Sequence, residues 1–164
     1  MNSPRRPLTL PQALNRAAAL CARSEQSAGD IREKLVKWGL NGNEVSQALV
    51  QLSEQGFIDN ERYARAFVKD KFRFNGWGKI KIGHQLRLKG VPDSAIGQAM
   101  ELIDDDAYRE RLVQLLQAKW ETVRDREPRA AWAAMMRFAA SRGFETSIAS
   151  ECVRLVTRID DQDD

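Results

Sequence analysis

The stretch "FRFNGWGKIKIG", residues 72–83, carries the residue types that hold phosphates: three glycines, a Gly78-Lys79 pair, and aromatic side chains alternating with basic ones. A phosphate-cradling loop needs GxxxxGK followed by Ser or Thr, so that backbone N–H groups wrap the phosphates and a hydroxyl reaches magnesium. Here Ile80 follows Lys79, Arg73 stands where the first glycine belongs, and no strand leads in. Gly76, Gly78 and Gly83 read GxGxxxxG, which also misses the dinucleotide-binding spacing. What remains is a connection: one helix ends near Phe74, "NGWG" turns, and another helix begins near Lys79. That turn is either a plain loop or a place where the first N–H groups of the helix, helped by Lys79 and Lys81, meet an anion. Trp77 sits in the polar turn and is open to stacking, whereas Trp38, Trp120 and Trp132 read as packing residues.

Other chemistry is thin. His84 is the single histidine, so no histidine cluster or relay exists. Cys21 and Cys152 lie far apart in the chain, without metal-ligand or redox spacing, and read as small buried hydrophobes. Asp104, Asp105 and Asp106 are consecutive and point in different directions, as suits a helix start better than a metal. The expectation is therefore no catalytic residue, no cofactor and no metal.

The elements that position these residues are helical. In "ERYARAFVKDKF" the residues Ala64, Val68 and Phe72 stand four apart, with Tyr63 and Phe67 beside them, on one apolar helical face. Aligning Gly39, Gly90 and Gly143 exposes an internal repeat with spacings of 51 and 53 residues. Four positions before the glycines stand Leu35, Leu86 and Ala139, and eight before stand Ile31, Ile82 and Met135. Leu40, Val91 and Phe144 follow directly; Leu52, Ile103 and Val156 stand thirteen after. Each unit reads helix, helix, glycine stop, helix, the glycine taking a left-handed conformation free of a Cβ clash. Pro11 suits a first helical turn, Asp93 and Ser27 suit helix starts, and Ser27 with Asp30 resembles a capping box. The third unit carries an extra charged stretch, "KWETVRDREPRAA". The predicted fold is all-α: three tandem three-helix repeats forming an elongated, curved protein. The predicted boundaries are a flexible segment 1–10, repeats at 11–56, 57–103 and 104–158, and an acidic tail 159–164.

The 164 residues are 43% hydrophobic and 30% charged, enough for a core and too apolar for disorder. No apolar run approaches the roughly 18 residues that cross a bilayer, and prolines interrupt any secretory signal at the N-terminus. Net charge is +3, but from Arg62 to Lys89 nine cationic residues face Asp70 alone. A basic middle with acidic flanks points to a polyanion or an acidic protein surface as partner. The glycine turns resemble helix-turn-helix units, yet the helices after them, "NEVSQALVQLSEQ" and "PDSAIGQAMELID", hold no Arg or Lys. Base reading is therefore not expected; contact with a nucleic-acid backbone or with an acidic protein surface fits better.

The run "GFIDNERYARAFVKDKF" followed by "GWGKIKIGHQLRLKGVPDSAIGQAM" resembles the middle repeat of the bacterial RecX family, regulators of the RecA recombinase. The matching residues include Gly56, Phe57, Asp59, Tyr63, Ala64, Phe67, Gly76, Gly78, Ile82, Leu86, Gly90 and Ile96. "SAGDIREKL" resembles the first repeat and "RFAASRGF", loosely, the third, so the resemblance spans about residues 11–158. Lys79 departs from a proline common in the family. The resemblance implies tandem three-helix repeats that bind the RecA–DNA filament along its groove. It further implies restraint of ATPase, strand-exchange and coprotease activities in recombination and the SOS response. On that basis Arg32, Lys34, Lys37, Lys69, Lys71, Arg73, Lys79, Lys81, Arg87 and Lys89 are expected to contact the filament. Single- and double-stranded DNA are expected to bind weakly and without sequence preference. The protein is expected to be a cytoplasmic monomer. The rival reading is a non-specific, architectural DNA-binding protein with no recombinase partner, and it predicts tight, steeply salt-dependent binding to bare DNA.

Overall fold

A computed structural model describes residues 5–162 of the chain. Residues 1–4 of the predicted N-terminal segment, and Asp163 and Asp164 of the predicted acidic tail, lie outside the described residues. The described residues form nine helices and no strand. They run α1 (Leu10–Arg23), α2 (Ala28–Lys37), α3 (Gly42–Glu54), α4 (Asn60–Arg73), α5 (Lys79–Leu88), α6 (Asp93–Met100), α7 (Asp105–Val123), α8 (Pro128–Ser141) and α9 (Thr146–Gln162). The "KWETVRDREPRAA" stretch extends α7 to 19 residues and then supplies the turn into α8. No helix is long and apolar enough to cross a membrane among the described residues.

The repeat glycines are helix stops. Gly39, Gly90 and Gly143 have φ of +94°, +79° and +90°, a region where a side chain is strained. The residue after each donates its N–H five positions back, Leu40 to Leu35, Val91 to Leu86 and Phe144 to Ala139, at 3.1–3.2 Å. That is the closing bond of a Schellman motif. The aligned pairs Ile31/Leu35, Ile82/Leu86 and Met135/Ala139 are all fully buried. Truncating one of the large members to alanine costs about 2–5 kcal/mol.

The chain divides into two compact units. The first holds the residues up to Ala66 together with Leu86–Gln98. Its core joins Ala13 and Ala17 of α1, Ile31 and Leu35 of α2, and Val45, Ala48 and Leu52 of α3, closed by Leu40 and Ile58. Helix starts are capped locally. Thr9 with Gln12 and Asn41 with Glu44 form complete capping boxes. Ser27 caps Asp30 N at 3.0 Å, but the Asp30 carboxylate leaves the box and takes Lys89 Nζ at 3.0–3.1 Å.

The second unit holds Phe67–Gln85 and the chain from Ala99 onward. There α7, α8 and α9 pack pairwise. Tyr108, Leu112 and Leu116 of α7, Ala131, Met135 and Ala139 of α8, and Ala149, Val153 and Val156 of α9 are all buried. Asp104 accepts the N–H of Ala107 at 3.0 Å and Asp105 and Asp106 occupy the first turn of α7, so the acidic run serves the helix start.

Candidate functional site

The turn between α4 and α5 is held from behind by two arginines. Arg111 donates to the carbonyl of Arg73 at 3.2 Å, and Arg142 donates to the carbonyl of Asn75 at 3.0 Å. Gly76 turns with φ +65°, and a Cβ there would press on Leu115 and Arg111 at 3.2–3.3 Å. The N-terminus of α5 then butts against the C-terminus of α8. Gly78 N donates to Arg142 O at 2.7 Å and Ile80 N to Gly143 O at 3.0 Å. Lys79 N donates to the phenol oxygen of Tyr108 at 3.0 Å.

These bonds bear on the two readings left open for the turn. The N–H groups of residues 78, 79 and 80 have protein partners, so the start of α5 offers no backbone cradle to an anion. Cationic side chains are what the turn presents. The same kind of junction occurs in the first unit, where Gly29 N at the start of α2 donates to Lys89 O at 3.2 Å.

Trp77 is not an open stacking platform either. Its ring is half-buried, with Lys71 Nζ at 5.1 Å and Lys81 Nζ at 4.5 Å from the centroid. Phe67 packs edge-on against it at 6.3 Å. Lys71 Nζ also stands 5.5 Å from the Phe67 ring, and Lys79 Nζ stands 4.8 Å from the Tyr108 ring. An ammonium on an aromatic face gains about 0.5–1 kcal/mol at an exposed site, and its stem covers the ring. The rings therefore favour defined positions for three lysine head groups. Lys69 and Arg73 are exposed on α4.

Tyr108 anchors this arrangement. Its phenol donates to Glu145 Oε1 at 2.6 Å while accepting from Lys79 N. The ring stacks on Phe72 at 5.9 Å and tilts against Phe144 at 5.0 Å. Burial and the adjacent Glu145 carboxylate push its pKa far above the ordinary phenol range.

The other predicted cations belong to the first unit. Arg32 and Lys37 are exposed on α2 and Lys34 is half-buried. Arg87 pairs with Asp93 at 2.9 Å, and Lys89 pairs with Asp30 at 3.0 Å. That pairing raises the Lys89 pKa. Arg87 and Lys89 thus each have a carboxylate partner, as does Lys71, whose Nζ stands 3.8 Å from Asp70 Oδ2. Sequence reasoning missed Arg142 and Arg111, which hold the turn, and Lys119, whose Nζ stands 5.7 Å from the Phe138 ring centroid, with Arg142 at 5.2 Å from the same ring. The i,i+4 spacing of Phe138 and Arg142 was the available signal.

His84 is exposed on α5. Burial raises the pKa of both Cys21 and Cys152, which keeps each as the poorly nucleophilic thiol. Among the described residues no three His, Cys, Asp or Glu side chains gather as a metal site.

The chain is similar in sequence and fold to known proteins. A family model described as RecX, second three-helix domain, matches residues 59–100. The regulatory protein RecX of Pseudomonas entomophila is 32% identical over 139 residues, covering 84% of this chain and 87% of its own. The regulatory protein RecX of Clostridium botulinum is 29% identical over 134 residues, 80% of this chain; the match spans only 62% of that relative's length. The crystal structure of RecX from Lactobacillus salivarius matches with a TM-score of 0.80 at 18% identity, over 90% of this chain and 96% of that one. At that identity the likeness is one of fold.

Proposed function

Because the chain belongs to the RecX family of regulatory proteins, we propose that it regulates, mainly negatively, the RecA recombinase by binding the RecA–DNA filament in its groove. Binding there restrains the ATPase, strand-exchange and coprotease activities. The observation that carries this reading is the set of lysines fixed on aromatic rings at the α4–α5 turn, Lys71 and Lys81 on Trp77 and Lys79 on Tyr108. A recombinase filament on DNA is rich in phosphate and carboxylate. Cations that are already positioned meet such a partner with less side-chain entropy to lose.

Lys69, Lys71, Arg73, Lys79 and Lys81 supply one contact area, and Arg32, Lys34, Lys37, Arg87 and Lys89 a second. The repeats 11–56, 57–103 and 104–158 each present a module to the filament. The helices after the first two glycine stops, α3 and α6, lack Arg and Lys, so contact runs to backbone and protein rather than to base edges. The protein acts by binding, as a cytoplasmic monomer with no cofactor.

The test is hydrolysis of ATP by the cognate RecA on single-stranded DNA, with this protein added below one copy per RecA protomer. Inhibition at such ratios supports action on the filament, because too little protein is present to mask the strand. Inhibition only when the protein saturates the DNA rejects the reading in favour of an architectural DNA-binding protein.

A further inference from the structure

We propose that the cleft between the N-terminal segment and the end of α2 is a site for the oligophosphate chain of a small molecule, a nucleoside triphosphate or inorganic tripolyphosphate. The cleft encloses about 470 Å³, within the ~300–1,000 Å³ of small-molecule sites. Its charged lining is Arg5 and Arg6 on the segment, Arg16 on α1 and Lys37 on α2, with no carboxylate. None of these four cations is in an ion pair among the described residues.

The segment that carries Arg5 and Arg6 follows the pattern of the repeats. In each repeat the carbonyl just before the stop glycine accepts a backbone N–H. Lys89 O takes Gly29 N at 3.2 Å, Arg142 O takes Gly78 N at 2.7 Å, and Trp38 O takes Leu8 N at 2.8 Å. Leu8 thus fills beside Gly39 the place that a helix start fills beside Gly90 and Gly143. Pro7 lies on Gly39, where a Cβ would stand 2.7 Å from the proline Cβ, and the Leu8 side chain packs on the core of the first unit. Arg5 and Arg6 directly precede this anchor, which brings them to the cleft.

A helix C-terminus ordinarily presents a negative pole that repels anions. At the end of α2 that pole is covered, because the carbonyls of Lys34, Leu35, Val36 and Trp38 all accept backbone N–H groups. Arg16 stands 5.2 Å over the Trp38 centroid and covers the ring, so the cleft offers charge rather than an aromatic face. Four like charges in one concavity repel one another. The ligand that relieves this best carries several negative charges in the same small volume. An oligophosphate chain does so, with charge on each adjacent phosphorus, and arginine forks match its oxygens bidentately. A nucleic-acid strand spaces single charges a nucleotide apart and puts fewer of them into the cleft. The site shares no residue with the α4–α5 turn, and it requires no recombinase.

The test is isothermal titration calorimetry of the full chain, without RecA or DNA, against sodium tripolyphosphate, ATP and AMP at about 0.15 M salt. Saturable one-to-one binding of tripolyphosphate is expected, with AMP at least tenfold weaker. ATP that binds comparably to tripolyphosphate supports the proposal with a nucleotide as the source of the chain. ATP that binds tenfold or more weaker supports it with the inorganic chain as the source. Arg6→Gln/Arg16→Gln should weaken tripolyphosphate by about tenfold or more and leave the circular dichroism unchanged. Arg5→Gln/Arg6→Gln, which lies ahead of the first helix, repeats the test should that variant unfold. Unchanged affinity in a folded variant overturns the proposal, as does AMP bound as tightly as tripolyphosphate. Displacement of tripolyphosphate by an oligothymidylate at equal phosphate concentration overturns it too, since the cleft would then belong to a strand. Lys37, which also belongs to the proposed filament contact, is unaltered throughout, so each of these failures leaves the recombinase reading standing.

Discussion

Gly78 donates its amide hydrogen to the carbonyl oxygen of Arg142 at 2.7 Å, and its bare α-carbon lies against the peptide of Gly143. A side chain at either glycine would occupy space held by backbone, or by Lys81 in the case of Gly143. Gly143 adds a φ of +90°.

Gly143→Ala should therefore destabilise the protein by roughly 2 kcal/mol or more, from strain and collision together. Gly97→Ala offers the contrast. Gly97 lies inside α6 with nothing within 4 Å of a new Cβ, so alanine there should stabilise by up to about 1 kcal/mol. Urea unfolding of both variants, read by circular dichroism, checks the opposite signs.

Tyr108→Phe removes the donor to Glu145 and the acceptor from Lys79 while keeping the ring contacts. Stranding two partly buried polar groups should cost about 1–3 kcal/mol at neutral pH. The alkaline limb should change too. The folded pKa of Tyr108 is raised, so above about pH 10 the unfolded chain loses its phenol proton while the folded chain keeps it. Stability of the parent protein falls there as pH rises, and Tyr108→Phe should fall less steeply. Equal slopes in the two proteins would sink this account.

The Asp30–Lys89 pair is about one-third exposed on each side, so its worth is that of a partly screened ion pair. A double-mutant cycle with Asp30→Asn and Lys89→Gln should give a coupling of about 0.5–1 kcal/mol, shrinking in high salt. The Lys89 pKa is raised, so this stabilisation is complete below about pH 10.5 and is lost as pH climbs through the higher folded value.

Reversing Lys69, Arg73 and Lys81 to Glu together should weaken association with RecA–DNA filaments by tenfold or more and leave helicity unchanged. Single reversals should show little, because one exposed charge contributes ~1 kcal/mol or less. Co-sedimentation with filaments, paired with circular dichroism, reads both quantities. Full binding by the triple variant would reject the contact assigned to the turn.

Much of the fold was legible because its signals are local. Ile31, Leu35 and Gly39 lie within nine residues of one another, and the same pattern returns at Ile82, Leu86 and Gly90. Helical period and a left-handed stop need no more than that span. The end of α4 at Arg73 and the start of α5 at Lys79 followed from the same reasoning. The electrostatics of the site were harder to read. The sequence offers Asp30 as half of a capping box, but its carboxylate turns to a lysine 59 positions away. Lys79 N finds a phenol 29 positions on, and Asn75 O finds a guanidinium 67 positions on. No periodicity encodes contacts of that range. For the same reason the backbone of the turn looked free to bind an anion, although residues from later in the chain already hold it.

That dependence on later residues bears on how the chain is made. The amide hydrogens of Gly78, Lys79 and Ile80 are satisfied by Tyr108, Arg142 and Gly143. Ile80 emerges from the ribosome 63 residues ahead of Gly143. At translation rates of ~5–20 residues per second that is a wait of roughly 3–13 s. A helix of ten residues does not hold itself together in water. During vectorial synthesis the first turn of α5 is thus left to the solvent, or to a chaperone, until the end of α8 arrives to close it.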